Sequence, residues 1–110
     1  MNEVLIVFTN LPDRSSAERI AEALVTANVA ACVNVLAECT SIYRWQGKIE
    51  HNHEVPLIIK TTRTAYPLLE STWRKLHPYE LPEIVAMPVT TGLHEYLEWV
   101  VQETQTRKET

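Results

Sequence analysis

The sequence predicts an α+β fold, a sheet layered against helices in the order strand, helix, hairpin, helix, strand, with an extended β-hairpin and an extra C-terminal helix. Three observations predict it. Apolar residues recur at period two in some runs and at helical spacing in others, and the two kinds alternate along the chain. Gln46-Gly47 separates two β-rich runs, and glycine supplies the positive φ that a tight hairpin turn needs. The chain holds no repeat, low-complexity segment or linker, so residues 1–110 read as one domain.

Val4-Leu5-Ile6-Val7-Phe8 is a continuous apolar run, the pattern of a central strand covered on both faces. Asn10 to Asp13 reads as a turn. Ser15 followed by Glu18 is a capping-box signature that starts a helix, in which Ala17, Ile20, Ala21 and Leu24 form one buried stripe. Asn28 is placed to end it. A second strand opens at Val29 and is expected to run unbroken into the hairpin. Asn34 inside that run needs partners for its amide if it is buried. On the return arm Ile49, Val55, Leu57 and Ile59 share one parity, against Lys48, Glu50, Glu54 and Lys60. Pro56 cannot donate to a ladder, which suggests an edge or a bulge.

Thr62 or Thr64 is expected to cap a second helix, with Pro67 in its first turn and Ala65, Leu69, Thr72, Trp73 and Leu76 on its inner face. Two prolines fix His77 to Glu83 as an extended loop. Ile84 to Val89 is a last strand, with Pro88 marking an edge. A final helix is expected from Thr90 or Thr91, striped by Leu93, Tyr96, Leu97, Val100 and Val101. From about residue 103 to 110 the chain turns polar and is expected to fray. Without the last helix this order is the βαββαβ pattern of a ferredoxin-like sandwich.

The hairpin also says something about assembly. If its incoming arm starts near Ala31, each arm spans roughly 45 Å at ~3.3 Å per residue. A domain of this length is only ~35 Å across. An isolated ribbon is marginal in water, so its far end is expected to pack on another subunit.

Composition narrows the function. Hydrophobic residues make up 45 % and charged residues 22 %, both ordinary for a globular protein. Net charge is −4 and the pI about 5.5, which argues against a general nucleic-acid binder or an anionic-membrane binder. No apolar run approaches the ~18 residues of a membrane span. The N-terminus has no basic start of the signal-peptide kind. Cys32 and Cys39 make no disulfide framework; on one strand they would lie ~23 Å apart. Two reduced thiols point to the cytoplasm. No Ser-His-Asp or Cys-His arrangement is visible, and with only Gly47 and Gly92 there is no glycine-rich nucleotide loop.

Several of these fragments occur together in a known family. Thr9…Pro12-Asp13, Ala30-Ala31-Cys32-Val33-Asn34, Tyr43-x-Trp45-x-Gly47-Lys48-Ile49-Glu50, Leu57-Ile58-Ile59-Lys60-Thr61, His77-Pro78-Tyr79-x-x-Pro82-Glu83-Ile84 and Pro88-Val89 run in unchanged order from Val4 to about Glu103. The chain thereby resembles the CutA family of divalent-cation tolerance proteins. The resemblance implies a ferredoxin-like fold and a homotrimer whose hairpins pack around a threefold axis. It also implies a tie to copper and other divalent-metal tolerance, copper binding in some members, and no established catalysis, hence no obligatory cofactor. The copper ligands proposed for enterobacterial members are a cysteine and two adjacent histidines. Here the cysteine position holds Phe8 and the first histidine Leu76, so only His77 remains as a metal candidate, and a tight site wants about three or four ligands.

The remaining candidates divide between chemistry and packing. His77 is either a helix-end cap or a ligand-facing group. His51 and His53 would share one strand face as a weak cation clamp or as solvated surface. Cys39 near a threefold axis could supply a soft ligand, but reads first as an inert thiol, as does Cys32. His94 reads as surface. Trp45, Lys60, Tyr79 and Glu83, with Glu54, are the residue types of a small-ligand pocket: aromatic plates, a lysine and carboxylates. They would line a cleft between subunits and suit a small anionic ligand, or else serve as interface packing. Two functions follow: a non-enzymatic trimeric copper and divalent-cation tolerance protein, or a small-molecule sensor and signalling scaffold.

Overall fold

A computed structural model describes residues 2–105. Strand β1 (Val4–Leu11) leads to helix α1 (Arg14–Thr26), strands β2 (Cys32–Val35), β3 (Cys39–Trp45) and β4 (Lys48–Thr62), helix α2 (Tyr66–Leu76), strand β5 (Ile84–Pro88) and helix α3 (His94–Glu103). The sheet runs β2-β4-β1-β5, every neighbour antiparallel, with β3 paired to the outer half of β4. This is the ferredoxin-like order.

Odd-numbered apolar residues of β1 and of the inner half of β4, among them Leu5, Val7, Leu57 and Ile59, pack with Ile20 and Leu24 of α1 and Leu69 and Trp73 of α2 in the main core. The opposite face is covered at one end only, where Val4 and Ala31 meet Val100 of α3. Ile6, Phe8 and Ile58 stay half-buried there, and Val85 and Met87 exposed.

The incoming hairpin arm is broken, where an unbroken strand was expected. β2 ends at Val35 opposite Leu57, and β3 resumes at Cys39 opposite Glu54. Pro56 falls in the gap. Its carbonyl accepts from Leu36 N at 2.9 Å, so its missing donor faces the lapse between the two strands. Three residues, 36–38, face two, 55 and 56, so the incoming arm carries one extra residue opposite the proline. This is the bulge-like interruption expected at Pro56, and β4 is locally an edge on that side. Cys32 and Cys39 therefore lie on different strands, both as free thiols. Beyond Leu11–Val55, the last β1–β4 pair, β3 and β4 continue alone as a two-stranded ribbon. Gln46 (φ 50°) and Gly47 (φ 82°) close it in a two-residue turn of the primed kind. The molecule measures 49 × 32 × 23 Å, and its radius of gyration of 14.8 Å exceeds the ~13 Å of a compact chain this long.

Element ends shift for local reasons. α1 is capped by Asp13 rather than Ser15: its carboxylate accepts from Ser16 N at 2.7 Å, a charge-assisted bond at the positive end of the helix, and Glu18 turns to Arg14 instead. β1 runs on through Asn10 and Leu11, where a turn was expected. Asn28 adopts φ 61°, just past the end of α1. Thr62 Oγ1 accepts from Ala65 N at the start of α2, and Leu76 of the predicted inner face is exposed. α3 starts at His94, later than expected, and only Val100 of its stripe is fully buried; Leu93 and Tyr96 are exposed. The tail is firm one residue past α3: Thr104 is buried and its hydroxyl donates to Val100 O at 2.8 Å. The rest of the expected frayed segment, 106–110, lies outside the described residues.

Candidate functional site

A cleft of about 730 Å³ opens where the ribbon leaves the sheet. The hairpin supplies Tyr43, Arg44, Trp45, Asn52 and Glu54; the 78–83 loop supplies the facing wall with Tyr79 and Glu83; the end of β1 supplies Asn10. Three of the four predicted ligand-binding residues, Trp45, Tyr79 and Glu83, are thus brought together, and Glu54 with them.

Lys60 is not among them. It lies six residues along β4 from Glu54, roughly 20 Å away, and donates to Asn34 Oδ1. That bond also answers the question of Asn34, which is exposed. Without Lys60 the charged groups at the cleft are Arg44, Glu54, Glu80 and Glu83, three carboxylates against one guanidinium. A small anionic ligand does not suit that balance.

Hydrogen bonds fix the cleft floor. Asn10 Nδ2 donates to Glu83 Oε1 at 2.8 Å, and Thr9 Oγ1 donates to Glu83 O at 2.5 Å, tying the rigid loop to β1. Asn10 Oδ1 is buried and has no donor. Asn52 donates to the Tyr43 hydroxyl across the ribbon. Burial, with the Glu54 carboxylate beside its hydroxyl, pushes the Tyr79 phenol up to about 12, so it stays protonated and donates. Sequence reasoning missed Asn10, Tyr43, Arg44 and Asn52. For Asn10 a polar residue ending an apolar strand was the available signal; the ribbon residues needed the register.

His77 lies beneath this floor. Its side chain is buried, edge-on to Trp73 at 5.1 Å and tilted against Tyr79 at 4.8 Å. Nε2 lies 2.7 Å from Asn10 O, and Tyr79 N donates to Nδ1 at 3.2 Å. A carbonyl cannot donate and a backbone amide cannot accept, so the ring is the neutral Nε2–H tautomer. Burial lowers its pKa in the same sense. Neither nitrogen keeps a lone pair for a metal, so the metal role expected of His77 does not fit its geometry. Phe8 on the sheet and the exposed Leu76 supply no donor atom either, so the copper ligand set proposed for enterobacterial members is not reproduced here. His51 and His53 are exposed on the ribbon, and His53 lies 3.8 Å from Glu38. Among the described residues no three His, Cys, Asp or Glu side chains are grouped to hold a metal. Nor is any helix long and apolar enough to cross a membrane.

Sheet order, helix placement and projecting ribbon define a ferredoxin-like α+β domain with a ligand-sized cleft at the ribbon's root. The family described as CutA1 divalent ion tolerance protein matches residues 5–103, and the chain belongs to that family. It is 45 % identical over 104 residues to the divalent-cation tolerance protein CutA of Thermus thermophilus, covering 94 % of this chain and 99 % of that one. Against protein CutA of Homo sapiens it is 44 % identical over 102 residues, 93 % of this chain and 57 % of the human one. The crystal structure of CutA1 from the psychrotrophic bacterium Shewanella sp. SIB1 superposes with a TM-score of 0.91 at 43 % identity, covering 94 % of this chain and 97 % of that one.

Proposed function

We propose that this protein serves divalent-cation tolerance as a non-catalytic homotrimer in the cytoplasm. The observation that carries the reading is the near end-to-end match to a relative named for divalent-cation tolerance. Trimer formation through the hairpin is supported by the ribbon, which stands clear of the core with Ile42, Tyr43, Trp45 and Ile49 exposed, and by the half-covered apolar sheet face beside it. Two free thiols fit a reducing compartment. Cation tolerance does not run through a metal held at His77, whose nitrogens are both engaged. The reading is tested in a host lacking its own copy, grown on graded copper and other divalent cations. The expected result is growth restored by this chain; equal sensitivity with and without it contradicts the reading.

A second reading, a small-molecule sensor, is favoured by one observation: the cleft gathers Trp45, Tyr79 and Glu83 on a fixed polar floor. In the homotrimer a neighbouring subunit would complete that cleft.

A further inference from the structure

We propose that the cleft binds an organic cation, a primary ammonium group held by Asn10, Glu54 and Glu83 between aromatic walls. The inference rests on the second reading above, that the cleft takes a small molecule.

Two observations at the floor point to a missing positive group. Glu54 is only 8 % exposed; the Tyr79 hydroxyl donates to its carboxylate, but none of the ion pairs among the described residues includes it, so its charge has no counter-charge. A carboxylate taken out of water needs a counter-charge or several donors. Asn10 is 7 % exposed, and its Oδ1 accepts from nothing. Its amide cannot be turned to cure this, because Nδ2 already donates to Glu83, and reversing it would set two oxygens together. Both residues line the cleft.

The acceptors are also close together. Asn10 pairs with Pro56, so Glu54 is its diagonal neighbour on the same sheet face, roughly 7–8 Å away. Glu83 is bonded to Asn10 directly. One group with three N–H donors, seated among them, would satisfy an amide oxygen and two carboxylates at once. Tyr43, Trp45 and Tyr79 supply the walls, and aromatic faces attract a cation as well as an alkyl chain. Arg44 stands at the exposed hairpin side, where it would repel a second cation and favour a ligand whose far end is neutral or anionic.

The test is a titration of the assembled protein with n-butylammonium, with n-butanol and butyrate as neutral and anionic analogues. NMR signals of the Trp45 indole and the Asn10 side-chain amide report on the cleft. The expected result is a saturable shift with n-butylammonium alone, weakened tenfold or more by Glu54→Gln. Glu83→Gln, at the exposed rim, is measured beside it should the first variant fold poorly. Equal or tighter binding of butyrate or butanol overturns the cationic class while leaving a ligand cleft. Cleft signals that no probe moves overturn the small-molecule reading as well. Butylammonium binding unchanged in both variants overturns the assignment of the carboxylates.

Discussion

His77 shows how one residue can be placed correctly by the sequence while two roles stay open, a helix-end cap and a ligand-facing group. It caps α2, its backbone N–H donating to Trp73 O. Its position at a helix end before a double-proline loop is visible in the sequence. Its burial against Trp73 and its bond to Asn10, 67 residues away, are not. Removing the ring in His77→Ala would leave a buried carbonyl unpaired and a gap against Trp73, a cost of roughly 2–4 kcal/mol in urea unfolding. Titration with Cu(II) should give the same affinity for that variant as for the parent; a clear loss would return the metal to this ring. The pH dependence follows from the lowered pKa. Burial favours the neutral ring in the folded state, so its contribution is full above the ordinary 6.5 and is lost as pH falls through the lower folded value. Stability should therefore drop more steeply below pH 6.5 in the parent than in His77→Gln, and parallel curves would show that the ring does not titrate as argued. Lys60 does not join the others within one chain. Parity puts it on the same face as Glu54, but parity carries no information on distance along the strand.

The hairpin is the element on which most of the molecule depends. Its turn was legible because Gly47 sits between alternating runs, and the register Trp45–Lys48 places the turn there. The break between β2 and β3 was not legible. It depends on which side of β4 Pro56 turns its missing donor towards, and that is fixed only by pairing with β1 and Leu36. The predicted stripe of α1 is the observed one, since Ala17, Ile20, Ala21 and Leu24 face a single sheet. α3 fails the same test because its stripe meets the sheet only at the Val4 end. Gly47→Ala has open space for its Cβ but must hold φ 82°, which costs roughly 1–2 kcal/mol. Thermal unfolding should register that loss, and an unchanged midpoint would mean that the turn contributes nothing to the stability of the ribbon.

At the scale of the whole molecule, the order of strands and helices made the fold class readable, because each strand–helix–strand unit sets two parallel strands apart and leaves between them a place that one strand of the other unit fills antiparallel. The cleft was only partly readable, since it is built from three separate stretches whose meeting depends on the ribbon's register. Assembly is where shape and surface converge. A ribbon clear of the core, the exposed Ile42, Trp45 and Ile49 on it, and a sheet face that α3 covers at one end all present apolar surface. Trp45→Glu should weaken self-association, because a charge would then have to be desolvated at the contact. The most direct measurement is the light-scattering mass of the purified protein at micromolar concentration. The account predicts three times 12.6 kDa, about 38 kDa, falling in Trp45→Glu. A mass of 12.6 kDa for the parent would contradict it.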